Sequence, residues 1–83
     1  DEGLNMDIQS IKELAQQYTV DELNAFADEF ESTGVAPVKT QEDAGEQMSD
    51  YLQAAALRSY LDQGMSIMEA TREFSKRVRG VLS

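Results

Sequence analysis

Between its glycine and proline stops, the chain places apolar residues three and four positions apart, a spacing that a helix turns into a single face. Ile8, Ile11, Leu14, Ala15 and Tyr18 fall on one arc, which predicts a first helix over about Asp7–Tyr18. Thr19-Val20-Asp21-Glu22 has the form of a capping box. In that motif a threonine hydroxyl and the glutamate three places on bond to backbone N–H groups that a helix start leaves open. Val20, Leu23, Phe26, Ala27 and Phe30 make the apolar face of the second helix, and Gly34 is placed to end it because glycine takes left-handed backbone angles without a Cβ penalty. A connector around Pro37 leads to a third helix. Thr40 is its expected N-cap, Glu42 and Asp43 stand in the first turn where the helix dipole favours acids, and Gly64 is its stop. Ser66-Ile67-Met68-Glu69 repeats the capping-box form and opens a fourth helix to about Arg79, with Gly80 as its stop. β-Branched residues are sparse and no segment alternates, so strands are not expected.

The fold expected from this reading is all-α: a compact bundle of about four helices arranged as two helical hairpins. With 83 residues it is a single small helical domain over 1–83, of a size that buries only ~60% of the surface its unfolded chain exposes. Residues 1–6 read as a flexible N-terminal extension, Met6 being a candidate native start.

The third helix departs from a simple two-sided pattern. In its first half Ala44, Met48, Tyr51, Leu52 and Ala55 share one side, while Glu42, Glu46 and Asp50 share the opposite one. In its second half Leu57, Tyr60 and Leu61 appear on the side that was acidic, so Tyr51 to Leu61 is apolar nearly all round. Burial between the first hairpin and the fourth helix accounts for such a helix. The functional alternative is a docking face built from Leu57, Tyr60 and Leu61, with tyrosine as an interface anchor.

Charge is unevenly distributed. Sixteen acids against seven bases give a net charge of −9, and the first fifty residues hold 13 of those acids and only 2 of the bases. The fourth helix carries Arg72, Lys76 and Arg79 on one face, with Arg77 at its margin and within reach of Glu73. Asp28, Glu29 and Glu31 crowd the C-terminal half of the second helix, where the dipole disfavours acids. An offsetting charge is expected from the basic face of the fourth helix, within the fold or across a dimer, or from a basic partner. The acidic excess argues against direct nucleic-acid binding, which needs Lys and Arg to neutralise phosphates, and against an anionic membrane surface.

The composition excludes much chemistry. No cysteine and no histidine means no thiolate or imidazole metal site, no disulfide and no Ser-His-Asp triad or Cys-His dyad. The Glu42, Glu46, Asp50 ladder lacks the loop-borne pattern of an EF-hand and the Glu-x-x-His pairs of di-iron bundles, and is expected to be a solvated acidic face. Met48-Ser49-Asp50 lies inside a helix and is not the Asp-Ser-Leu attachment motif of acyl carrier proteins. No apolar run approaches the ~18 residues of a membrane span. The first residues carry neither the basic nor the apolar segment of a signal peptide, and with the absence of cysteine this points to the cytoplasm.

Gly45-Glu46-Gln47, the long apolar helix, Gly64, Ala70, Arg72-Glu73-Phe74 and Arg77-Val78-Arg79 give the second half of the chain a resemblance to a small uncharacterised family of acidic, all-helical bacterial proteins. The resemblance implies no activity; it singles out Arg72, Arg77 and Arg79. The function expected is that of a non-enzymatic protein-interaction module without cofactor or metal. It would be an accessory subunit or adaptor docking on a larger protein through the third and fourth helices. Leu57, Tyr60 and Leu61 would be its contacts and Arg72, Lys76 and Arg79 an electrostatic rim. The alternatives are an acidic nucleic-acid mimic, inhibiting a basic DNA- or RNA-binding protein through Asp28, Glu29, Glu31, Glu42, Glu46 and Asp50, or a structural homodimer.

Overall fold

The computed structural model describes residues 8–82, with side chains as far as Val78. It contains four helices, α1 (Ile8–Gln17), α2 (Val20–Thr33), α3 (Ala44–Asp62) and α4 (Ile67–Leu82), and no strand among the described residues. The expected residues 1–6 extension and the helix start at Asp7 lie outside the described residues.

Local chemistry sets most of the boundaries. The Thr19 hydroxyl accepts the Glu22 N–H at 3.1 Å, while the Glu22 carboxylate accepts the Thr19 N–H at 2.9 Å. Ser66 and Glu69 make the same reciprocal pair, both bonds at 3.1 Å, at the start of α4. Gly34 ends α2 with φ +76°, its N–H donating to Phe30 O at 2.8 Å, and Gly64 takes φ +100° just beyond α3. Two boundaries differ from expectation. Asp43, not Thr40, caps α3, its carboxylate accepting the Glu46 N–H at 3.0 Å. Glu42 therefore precedes the helix. At the other end, α4 continues through Gly80 to Leu82: a glycine permits a stop but does not impose one.

α3 is the central element. α1, α2 and α4 each pack against it, and α1 and α2 meet each other chiefly through it. Ile11, Leu14 and Ala15 from α1, Leu23 and Ala27 from α2, Tyr51, Ala54 and Leu57 from α3, and Ala70 and Phe74 from α4 form one buried core. Leu57 is fully buried. The burial reading therefore holds for it, and it is corrected from docking contact to core residue. Tyr60 and Leu61 are partly buried and pack against the same core.

The buried face of α3 is not the one that hydrophobicity alone selects. It runs through Gln47, Asp50, Tyr51, Ala54 and Leu57, rotated by about 100°, one residue's turn of a helix, from the expected face. Leu52 is left 50% exposed and Asp50 is only 3% exposed. The cause is the connector, which lies over the first half of α3 and offers it polar partners in place of apolar ones.

Candidate functional site

The connector between α2 and α3 is strapped to α3 by three side chains at helical spacing. The Tyr51 hydroxyl accepts the Val38 N–H at 3.2 Å and donates to the Val38 carbonyl at 2.7 Å. One turn earlier, the Gln47 side-chain carbonyl accepts the Thr40 and Gln41 N–H groups at 2.8 and 3.1 Å, and its amide donates to the Thr40 hydroxyl at 3.0 Å. Asp50 closes the cluster: one carboxylate oxygen accepts the Thr40 hydroxyl at 2.7 Å and the Gln41 side-chain amide at 3.1 Å. Among the described residues no buried side-chain polar atom lacks a partner, as a buried polar network requires.

This arrangement corrects the reading of Glu42, Glu46 and Asp50 as one solvated ladder. Asp50 faces inward and is bonded by neutral donors, Glu46 is partly buried, and exposed Glu42 pairs with Lys39 at 3.1 Å. Tyr51 sits under the strap with its ring tilted against Phe26 and edge-on to Phe30. Burial raises its pKa above the ordinary 10.0. Its bond with the Val38 backbone opposes that rise, and the charges of Glu29 and Asp50, with Tyr18, add to it.

A second long-range tie joins α3 to α1. The Arg58 guanidinium donates to the carbonyls of Ala15 and Tyr18 at 3.2 and 3.3 Å, and its Nε pairs with Asp62 at 2.9 Å. A cation on the open carbonyls of a helix C-terminus is favoured by the dipole, and α1 has no base of its own in its last turn.

Two sets of exposed charge stand on different helices packed on α3, acids on α2 and bases on α4. Asp28, Glu29 and Glu31 are exposed on α2. Among the described residues no ion pair joins α2 to the basic face of α4, and both helices pack chiefly on α3 rather than on each other. The ion pairs among the described residues are local: Lys39–Glu42, Arg58–Asp62 and Lys76–Glu73, the last at 3.2 Å. Glu73 thus takes Lys76 rather than Arg77. A shallow groove of about 350 Å³ runs between α1 and α4, lined by Lys12, Ile67, Met68, Thr71, Arg72 and Ser75. Exposed Arg72 stands there as expected for a rim, Lys76 lies exposed further along the same helix, and the Arg79 side chain is outside the described side chains.

Sequence reasoning missed Lys12, Gln47 and Arg58. Lys12 is one of only two bases in the acidic half, and only the docking of α1 beside α4 gives it Arg72 as a companion. The signal available for the strap was Gln47, Asp50 and Tyr51 at i, i+3 and i+4, a polar-aromatic triplet on one helix face. Among the described residues no three carboxylates are grouped to hold a metal ion, and no helix is long and apolar enough to cross a membrane.

Fold and site together define a small all-α bundle with a strapped central helix and a cation-flanked groove. The chain belongs to the family of unknown function DUF6952, which it matches over residues 6–83. The match covers the first half of the chain as well as the second. No curated protein and no solved structure matches the chain.

Proposed function

We propose that this chain is a non-enzymatic protein-interaction module, an accessory subunit or adaptor that joins a larger assembly through the exposed side of α4, the α1–α4 groove and the partly buried end of α3. The observation that carries this reading is the groove itself. Met68 stands 71% exposed beside it, and neither Lys12 nor Arg72 is in an ion pair among the described residues. Unspent charge flanking exposed apolar surface is how a protein interface is built. The working surface of the original expectation changes accordingly: Tyr60 and Leu61 contribute from the edge of the core, Arg72 and Lys76 remain, and Leu57 is withdrawn. The reading takes the family to be one of acidic bacterial proteins and the protein to act in the cytoplasm.

The test compares the wild-type chain with Met68→Asp and Arg72→Glu variants as bait in host lysate, eluted in salt steps. A stoichiometric partner held by the wild type and lost by both variants supports the reading. A partner held equally by all three removes the groove from it. The acidic-mimic reading keeps one supporting observation, the exposed acids of α2. Neutralising Asp28, Glu29 and Glu31 should then abolish competition with DNA for a basic target, and no effect would dismiss it.

A further inference from the structure

Three of the seven bases, Lys39, Arg58 and Lys76, are taken up by local ion pairs. Of the three others with described side chains, Lys12 and Arg72 line the α1–α4 groove, and exposed Arg77 lies further along α4. This concentrates unpaired positive charge at one apolar recess of a chain whose net charge is −9. The surface at the end of α2 has the converse chemistry. Beyond the C-terminus of α2 a second recess of about 350 Å³ is lined by Phe30, Val35 and Ala36 together with the Lys39–Glu42 ion pair, and exposed Asp28, Glu29 and Glu31, outside that lining, lie on the adjoining half of α2. The two most exposed large apolar side chains among the described residues are Met68, at 71%, and Val35, at 67%. One stands at each recess. The chain therefore carries an acid-flanked apolar tip and a cation-flanked apolar groove. Its own fold does not bring them together, since α2 and α4 pack on α3 and hardly on each other.

We propose that the α1–α4 groove of one chain receives the α2 tip of a second copy, in a head-to-tail association. This rests on the reading of the groove as a docking surface and names its occupant. The copy is favoured over a foreign acidic segment because it already supplies both halves of the match, the acids and the apolar tip. Such a contact is heterologous, so repetition extends to rings or open chains. It also explains acids at the end of α2 that the helix dipole disfavours: their cations come from the neighbouring molecule. Salt acts in two directions. At ~0.01 M the Debye length of ~30 Å lets the −9 charges of two whole molecules repel each other. At ~0.15 M it falls to ~8 Å and mainly close pairs remain, and at ~1 M those pairs are screened as well. Association is therefore strongest at intermediate salt.

Sedimentation equilibrium over a range of protein concentrations tests this on the full chain. The wild type is expected to rise from its 9.2 kDa monomer mass with concentration. A groove variant, Lys12→Glu with Arg72→Glu, and a tip variant, Asp28→Lys, Glu29→Lys and Glu31→Lys, should each associate ~10-fold or more weakly, equivalent to ~1.4 kcal/mol or more. An equimolar mixture of the two variants should associate again, because each carries the charge that the other's altered surface now needs. Helical circular dichroism checks that both fold; lysines at the end of α2 suit its dipole. A wild type that stays monomeric at every concentration overturns the proposal and assigns the groove to a different partner, a result that leaves the lysate experiment to decide the docking reading separately. Variants that associate like the wild type, or a mixture that fails to recover, also overturn it.

Discussion

Replacing Tyr51 with phenylalanine removes one oxygen and leaves the ring against Phe26 and Phe30, so it isolates what holds the strap. The hydroxyl makes two bonds to Val38. The donated one, at 2.7 Å, has the usual length of a good O–H···O bond, and the accepted one, at 3.2 Å, lies at the long end for N–H···O. A net value of ~1 kcal/mol for the first and ~0.5 kcal/mol for the second is reasonable. Val38 is partly buried, so water reaches its freed groups incompletely, and a residual desolvation cost brings the expected loss to ~1.5–2.5 kcal/mol. Chemical denaturation should show this as a lower midpoint with an unchanged slope, and hydrogen exchange should show faster exchange at the Val38 amide. The variant also has a pH signature. Because the folded protein raises the Tyr51 pKa above 10.0, the folded state holds that proton more tightly than the unfolded one. The stability this contributes is complete below the unfolded pKa and is lost as pH rises through the folded one. The wild type should therefore lose part of its advantage over the variant above pH 10. A loss under ~0.5 kcal/mol with unchanged Val38 exchange would refute the strap argument.

Two further substitutions probe the remaining ties. Asp50→Ala removes the shared acceptor of Thr40 and Gln41 and should cost ~1–3 kcal/mol in denaturation, with exchange accelerated at residues 38–41; unchanged stability would mean that the buried carboxylate is not holding the connector. Arg58→Met keeps the apolar stem but removes the guanidinium from the Ala15 and Tyr18 carbonyls; a loss of ~1–2 kcal/mol with fraying of the last turn of α1 by NMR is expected, and an unfrayed α1 would show that the clamp adds nothing.

The parts of the fold that were legible in the sequence are those decided within about four residues. Thr19 with Glu22 and Ser66 with Glu69 announce helix starts because both partners lie in the same turn. Gly34 announces a stop because the bond it makes goes back to Phe30. Thr40 and Asp43 show where this reading fails. Either is a competent cap, and the choice falls to Asp43 because Thr40 is drawn to Gln47 and Asp50, seven and ten residues away. The same partners turn α3, placing a carboxylate inside and Leu52 half outside, an inversion that no hydrophobic pattern contains.

The candidate site divides along the same line. Arg72 was readable as a surface base on an amphipathic helix. Its companion Lys12, sixty residues earlier in the chain, joins it only through the packing of α1 and α4 on α3. Leu57 belongs to the core because three helices close around the one that carries it. By itself, then, the sequence determined that this protein is helical and where most of its helices begin and end, since propensity and capping act locally. Tertiary structure alone decided which face of α3 is buried, which charges remain unpaired and where a groove opens, because those properties depend on groups that are distant in the chain and adjacent only after it has folded.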